Sequence, residues 1–355
     1  MKLREYVKLD ELFLKTTQIG SLPVLDIEEA LNLSFSLDIP AWPQLPKYEK
    51  ESMIFQFMEG FPGWNQTDNL IPNFSKIEKE IFNFYETYLK IIEDHQFELL
   101  KTFSLSETSA RAFIPFIKKA FKLKPSILKG QITGPFTLGI SLKNEEKKSL
   151  IFEERWQDLL VKFITLKALA QAWELKKVDS KVIIFLDEPG LSGFGSLSFI
   201  TISKDLVLNM INEVVETLQK YNFIVGIHVC ANTSWDLVLE SSVQILSFDS
   251  FNFFDKLIIY EKFLKKFLER GFLAWGLVPT EKETLTQISL EEVFQKFTFQ
   301  LKILSEKLKI SEEEILEKSL FTPSCGLGNL EVSLAKKALD FLKNFPLLVE
   351  SHLKF

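Results

Sequence analysis

The chain has 355 residues, of which 46% are hydrophobic and 25% are charged, and its formal net charge is −6. This mildly acidic balance, without a long basic run, argues against nucleic acid and anionic membranes as main partners. The charged start at residues 1–8 lacks the apolar segment of a signal peptide, and no run approaches the roughly 18 apolar residues of a membrane helix. We therefore expect a cytoplasmic protein, and its two cysteines are too few for a disulfide framework.

Short apolar segments alternate with helical patterns along the chain, which predicts eight strands that are each followed by helix. The predicted strands are residues 12–17, residues 34–39, residues 127–133, residues 182–186, the segment around His228, residues 243–248, residues 272–278 and residues 320–322. Fully apolar strands that alternate with helices are typical of a parallel sheet covered on both faces. Eight such units indicate an α/β fold of the (β/α)8, or TIM-barrel, type rather than an open doubly wound sheet.

The domain organisation follows from the absence of a dividing linker. No stretch rich in Gly, Ser or Pro separates two halves, so residues 1–355 are predicted to form a single barrel domain. The largest insertion, about residues 43–125, follows the second predicted strand. No G-x-G-x-x-G turn follows the first predicted strand, which argues against a dinucleotide-binding fold.

Chemically distinctive residues cluster at the predicted strand ends. In a barrel the C-terminal ends of the strands converge on one face, where active sites are found. The residues concerned are Ser21, Gly134, Asp187, Glu188, His228, Cys230, Asp249 and Cys325. Taken singly, an aspartate at such an end is often a helix cap, and a lone histidine is more often a core residue than a metal ligand.

The pair His228 and Cys230 carries a stronger signal. Residues i and i+2 of a strand project to the same side, so an imidazole and a thiol lie next to each other, as in half of a tetrahedral zinc site. The only other cysteine, Cys325, also lies at the end of a predicted strand. The spacing alone leaves two interpretations open, a zinc site or two buried cysteines that act as small apolar residues.

Five short motifs, in this order along the chain, resemble those of a known enzyme family. The motifs are Ile19-Gly20-Ser21, Thr133-Gly134-Pro135, Asp187-Glu188-Pro189, His228-Val229-Cys230 and Cys325-Gly326-Leu327. Together they resemble the C-terminal catalytic barrel of cobalamin-independent methionine synthase, over nearly the whole chain. The resemblance implies a barrel like those of methionine synthase and uroporphyrinogen decarboxylase, and a zinc-dependent methyltransferase of methionine biosynthesis.

The resemblance also implies the site residues. The zinc ligands would be His228, Cys230, Asp249 and Cys325, with an aspartate at position 249 where the family has a longer glutamate. The residues that contact homocysteine would be Ile19, Gly20, Ser21, Glu49 and Asp187, with Asp187 paired to the substrate ammonium. Glu51 is the alternative to Glu49, and no catalytic residue is expected beyond the zinc site.

Three departures from the family bear on the methyl donor. The chain has no room for the N-terminal barrel that helps to hold folate, Gly193 falls near the place of a folate-contacting glutamate, and residues 275–280 contain no histidine. The chain thus resembles the shorter, single-barrel methionine synthases. We expect homocysteine to be methylated by a methylated corrinoid protein rather than by methyltetrahydrofolate.

Two alternative functions remain at this point. The first is a zinc methyltransferase similar to uroporphyrinogen decarboxylase that acts on another small thiol, such as coenzyme M. The second is a structural zinc or redox protein in which Cys230 and Cys325 bind metal permanently or form a disulfide. A structural zinc site is closed by four protein ligands, whereas a catalytic site leaves room for substrate.

Overall fold

The structure is a computed structural model that describes residues 11–65 and 70–353. The charged start at residues 1–8 therefore lies outside the described residues, as do both ends of the predicted single domain.

The centre of the described structure is a curled, six-stranded parallel sheet whose strands follow one another in chain order. The strands are β1 (Ile127–Thr133), β2 (Lys181–Asp187), β3 (Ile224–Val229), β4 (Ile245–Phe248), β5 (Phe272–Val278) and β6 (Ser319–Pro323). Apart from the half-buried first residue of β2, every strand residue is buried. This burial explains why most of the strand residues are apolar, and the sheet confirms the last six predicted strands.

Helices cover the outer face of the sheet. They are α1 (Ile27–Ser34), α2 (Glu78–Ile92), α3 (Phe113–Leu123), α4 (Pro135–Ser141), α5 (Glu154–Lys176), α6 (Lys204–Lys220), α7 (Trp235–Glu240), α8 (Ser250–Leu257), α9 (Glu261–Leu268), α10 (Lys282–Gln287), α11 (Leu290–Leu308), α12 (Glu312–Leu316) and α13 (Val332–Leu353). Side-chain caps fix several starts, as where Ser289 and Glu292 form a reciprocal capping box at α11. Within the described part of the chain, no helix is both long enough and apolar enough to cross a membrane.

Smaller elements occupy the connections. Two-residue strands at Leu70–Ile71 and Lys143–Asn144 pair in parallel, apart from the main sheet. Short 3-10 helices lie at Glu49–Glu51, Phe55–Phe57, Phe74–Lys76, Phe97–Phe103, Leu150–Phe152, Pro189–Gly193, Leu197–Phe199 and Ile258–Tyr260.

The first two predicted strands are not regular strands. Residues 34–39 were expected to be extended, but Ser34 ends α1 and a turn follows it. The reason is local: the Asp26 side chain accepts a hydrogen bond from the Glu29 amide and starts a helix that continues into the segment. In residues 12–17, a turn precedes Thr16, which forms only an isolated bridge with Phe321 of β6.

These two N-terminal segments nevertheless contact both edges of the sheet. Thr16 pairs with Phe321 in β6, and Ala41 pairs in parallel with Lys129 in β1. The Ile39 amide donates to the Thr16 carbonyl at 3.0 Å, which links the two segments to each other. Backbone hydrogen bonds therefore run from one edge of the sheet to the other through the N-terminal residues.

A separate apolar cluster fills the concave side of the sheet. It draws residues from all six strands and from both N-terminal segments, and its members are Leu12, Ile39, Ile127, Ile183, Phe185, Ile224, Ile245, Phe272, Ala274 and Leu320. Because side chains alternate between faces, the residues two or four positions further along these strands continue the same face. They include Lys129, Asp187, His228 and Ser247, so the concave side changes from apolar to polar towards the C-terminal strand ends.

Candidate metal centre

His228, Cys230 and Cys325 meet at the C-terminal end of the sheet. One ligand atom from each, the imidazole nitrogen and the two Sγ atoms, lies within 4.8 Å of the others. His228 lies on β3 and Cys230 directly after it, whereas Cys325 follows β6, and β4 and β5 separate these strands in the sheet. The curvature of the sheet therefore brings together the residues that the sequence predicted to meet.

The imidazole of His228 is fixed on one side and free on the other. Its Nδ1 lies 2.9 Å from the Oγ of Ser247, its register partner on β4. Its Nε2 is buried and has no hydrogen-bond partner among the described residues. A buried, unpartnered ring nitrogen next to two thiols is the arrangement expected of a metal ligand whose second nitrogen is held in place.

The two thiols, both partly exposed, influence each other. The interaction between the two neighbouring thiols lowers the pKa of Cys230 and raises the pKa of Cys325. The pair therefore holds its last proton tightly once Cys230 has become a thiolate. A cation between the two sulfurs would favour the loss of that proton, because thiolates are the form that binds metal.

Asp187 lies beside this cluster, in register with His228 on the neighbouring strand. It is buried, and its Oδ1 has no hydrogen-bond partner among the described residues. Burial raises the pKa of Asp187 to about 6, while the nearby charges of His228 and Lys129 act in the opposite direction. At neutral pH the side chain is thus a buried carboxylate with one open acceptor.

Asp249, the predicted fourth zinc ligand, has another role in this structure. Its Oδ1 accepts the Asn252 amide at 2.9 Å, its Oδ2 accepts the Asn252 side chain at 2.8 Å, and it caps α8. Burial raises the pKa of Asp249. The aspartate is not part of the cluster formed by His228 and the two cysteines.

The Ile19-Gly20-Ser21 loop lies against the segment that follows Cys325. The Ser21 carbonyl accepts the Leu327 amide at 3.0 Å, and the Ser21 Oγ accepts the Gly328 amide at 3.2 Å. A Cβ atom at Gly20 would lie 2.4 Å from the side-chain oxygen of Gln44, so a larger residue there would have to displace the Gln44 side chain. The predicted substrate loop and the predicted metal-binding segment are thus directly joined.

The two candidate glutamates differ in their surroundings. Glu51 is buried, and its carboxylate accepts the Leu45 amide at 2.9 Å and the Arg111 amide at 3.0 Å. Burial raises its pKa, which these backbone hydrogen bonds oppose. Glu49 is exposed, on a 3-10 helix next to the segment whose Met53 carbonyl accepts the Thr133 hydroxyl at 2.7 Å. Glu51 therefore holds its own loop together, and Glu49 remains free to contact a ligand.

Glu188, in the motif after β2, was not assigned a role from the sequence. Its carboxylate accepts the Phe136 amide at 3.0 Å and the Thr137 amide at 2.7 Å, at the start of α4. A Cβ atom at Gly134 would lie 2.2 Å from its Oε1. The motifs at residues 133–135 and 187–189 thus pack against each other. Glu188 caps α4, and the absence of a side chain at Gly134 leaves room for its carboxylate.

Ser247 and Lys129 were also missed by the sequence analysis. Each is a polar residue within a fully buried strand, and each faces the concave side. Such residues in an otherwise apolar strand are a usable sequence signal, because burial of a polar group without a partner is costly.

Two thiols and one imidazole form the type of ligand set that zinc prefers over magnesium or calcium. No protein-family model matches this chain, and no curated protein matches it significantly.

Proposed function

We propose that the protein is a zinc-dependent methyltransferase that methylates the thiol of homocysteine to form methionine. The observation that carries the proposal is the cluster of His228, Cys230 and Cys325, with an unpartnered Nε2 beside two thiols. Three protein ligands leave one tetrahedral position for substrate, as in catalytic zinc sites. Asp249 remains the predicted fourth ligand, but it would have to release Asn252 to bind metal.

The chemistry required is activation of a weak nucleophile. A free thiol with a pKa of about 8.5 is only a few per cent thiolate at neutral pH, and the thiolate is the reactive form. Bound zinc would hold the substrate sulfur in its anionic form. Asp187 would bind the substrate ammonium, because its carboxylate is buried next to His228 and has one acceptor without a partner.

We further propose that the sheet is the main part of a closed (β/α)8 barrel of the predicted type. Support comes from the hydrogen bonds of Thr16 and Ile39, and from the pairing of Ala41, which connect the two sheet edges. The single apolar cluster on the concave side also includes residues of both N-terminal segments. The N-terminal segments would then take the places of the first two strands, although neither forms a regular strand.

The proposed methyl donor is a methylated corrinoid protein. This part rests on the sequence alone, namely Gly193 in place of a folate-contacting glutamate and the absence of histidine at residues 275–280. The assay is transfer of a radiolabelled methyl group to homocysteine from methylcobalamin or from methyltetrahydrofolate. Equal rates from the two donors would contradict the donor proposal and leave the zinc proposal intact.

The metal proposal is tested by metal content and by thiol binding. We expect one zinc ion per chain in the wild-type protein and its loss in Cys230→Ser and Cys325→Ser. The matched control is Ser324→Ala, a buried neighbour whose hydroxyl contacts Thr280 and not the cluster. After cobalt substitution, homocysteine is expected to change the visible spectrum, because the thiol enters the metal's coordination shell.

The same spectrum separates the alternatives. A spectrum that no thiol changes, together with unfolding on metal removal, would indicate a structural site instead. Binding of coenzyme M in preference to homocysteine would indicate the alternative methyltransferase. Coenzyme M has no ammonium group, so Asp187→Asn should weaken binding of homocysteine only.

A further inference from the structure

Lys129 is a lysine buried on the concave side of the sheet, below the loop at residues 19–21. Its side chain has no solvent exposure. The ammonium donates to the Ile19 carbonyl at 2.6 Å and to the Gln131 side-chain oxygen at 3.2 Å, and it lies 4.5 Å from the centre of the Phe185 ring. All three contacts are to uncharged groups.

Burial of an ammonium group is costly unless the group is hydrogen-bonded or paired with an opposite charge. Burial lowers the pKa of Lys129 to about 8, and the carboxylate of Asp187 is the charge that opposes this shift. The lysine is thus still protonated at neutral pH. Among the described residues, no carboxylate lies within ion-pair distance of the Lys129 ammonium, so the lysine forms no direct salt bridge there.

We propose that Lys129 is a positioning residue for thiol binding, which holds the Ile19-Gly20-Ser21 loop in place and supplies positive charge to the buried site. The inference rests on the proposed function, because it concerns the thiol that the metal centre would receive.

The loop part of the inference follows from a continuous set of contacts. Lys129 holds the Ile19 carbonyl, and two residues later Ser21 holds the amides of Leu327 and Gly328. The loop therefore connects the interior of the sheet to the segment that begins at Cys325. Loss of the lysine would release the loop at its buried end.

The charge part follows from the groups around the site. A bound zinc ion would balance the two cysteine thiolates, whereas the Asp187 carboxylate is a separate negative charge and a substrate thiolate would add a further one. A buried positive charge offsets this repulsion more strongly than a surface charge does, because screening by water is weak there. His228 and Lys129 are the groups whose positive charge acts on Asp187, and Lys129 remains when His228 binds metal as a neutral imidazole.

Two variants separate the two parts. Lys129→Gln keeps a hydrogen-bond donor but removes the charge, and Lys129→Met removes both. The control is Lys167→Met on α5, since Lys167 is equally buried but contacts Phe163 on its own helix. Thermal unfolding shows which variants are folded. If Lys129→Met is unfolded, the test uses Lys129→Gln alone.

The first measurement is amide hydrogen exchange in metal-free protein, over peptides that cover residues 18–22. We expect exchange to be about tenfold faster in Lys129→Met than in the wild type, and intermediate in Lys129→Gln, as for loss of a hydrogen bond to a charged group. If only Lys129→Gln folds, the same intermediate increase is expected in it. Unchanged exchange in the folded variants would overturn the positioning role, whether or not the protein is a methyltransferase.

The second measurement is the dissociation constant of homocysteine, from the visible spectrum of cobalt-loaded protein. We expect it to rise about tenfold or more in both variants, with cobalt content unchanged. If the wild type binds homocysteine and both variants bind it as tightly as the wild type does, the charge role is overturned and the proposed function still stands. A wild-type protein that binds no thiol would contradict the proposed function, and the charge role with it, whereas the exchange result would still decide the loop role.

Discussion

The Oγ of Ser247 lies 2.9 Å from the Nδ1 of His228, and the two residues are register partners on adjacent strands. The contact orients the imidazole so that the opposite nitrogen, Nε2, remains without a partner beside Cys230 and Cys325. Both side chains are buried, so the orientation is set by the sheet and not by solvent. The orientation of the His228 imidazole is thus set by two neighbouring strands, β3 and β4.

Ser247→Ala should weaken metal binding without removing a ligand. The imidazole would lose the partner of Nδ1, and loss of such an outer partner typically reduces metal affinity about 10- to 100-fold. The measurement is a competition titration of zinc against a chelator of known affinity. Ser180→Ala is the control, because Ser180 is buried just before β2, at the opposite end of the sheet, where its hydroxyl binds the Pro125 carbonyl. Equal affinities in the two variants would contradict the role given to Ser247.

Asp249→Ala and Asp249→Asn should differ in stability but not in the number of metal ions bound. Asparagine is as good an N-cap as aspartate, whereas alanine loses the cap of α8 at a cost of about 1 kcal/mol. Urea unfolding measures the first effect, and metal analysis measures the second. A fall in zinc affinity of Asp249→Asn as large as that of Cys325→Ser would show that the carboxylate is a fourth ligand after all.

Six strands could be predicted from the sequence because their residues are buried on both faces and form short runs in which most residues are apolar. The segment at residues 34–39 could not, since Leu37 and Ile39 give an apolar pattern that also suits a turn after a helix. The Asp26 cap, eight residues before the end of α1 at Ser34, decides the outcome there. Local capping thus outweighed a weak strand pattern.

The candidate site was predictable where two strand ends carry cysteines, because parallel strands in a curled sheet present these ends together. The contribution of Lys129 was not predictable in the same way. A lysine within a predicted buried strand is an unusual residue, but the sequence does not show which groups its ammonium contacts. Only the curvature of the sheet, which encloses the side chain against Phe185, makes it a buried charge. Asp249 shows the converse, since the sequence cannot distinguish a helix cap from a ligand.

Gly134→Ala should destabilise the protein although the backbone conformation at this position suits any residue. The added Cβ would lie 2.2 Å from the Oε1 of Glu188 and would displace the carboxylate that caps α4. We expect a loss of about 1–3 kcal/mol in the free energy of unfolding. Gly193→Ala is the milder control, because its Cβ would lie 3.2 Å from the Phe199 ring. Equal stabilities of the two variants would contradict the tight fit between Gly134 and Glu188.

Lys167→Met should stabilise the protein and change its pH dependence. Burial lowers the pKa of Lys167 to about 8, whereas an unfolded lysine titrates near 10.5. Between these values the unfolded chain holds more protons than the folded one, so the free energy of unfolding of the wild type rises as the pH rises through this window. Methionine has no proton to lose, and it removes the cost of burying a charge, so at pH 7 we expect a gain of about 2 kcal/mol in the free energy of unfolding.

Urea unfolding at pH 7 and pH 9.5 measures both effects, and the gain should shrink at the higher pH. Lys176→Met, at an exposed position on the same helix, should match the wild type at both pH values. A gain in Lys167→Met that is the same at pH 7 and pH 9.5 would show that the buried lysine is not the source of the pH dependence.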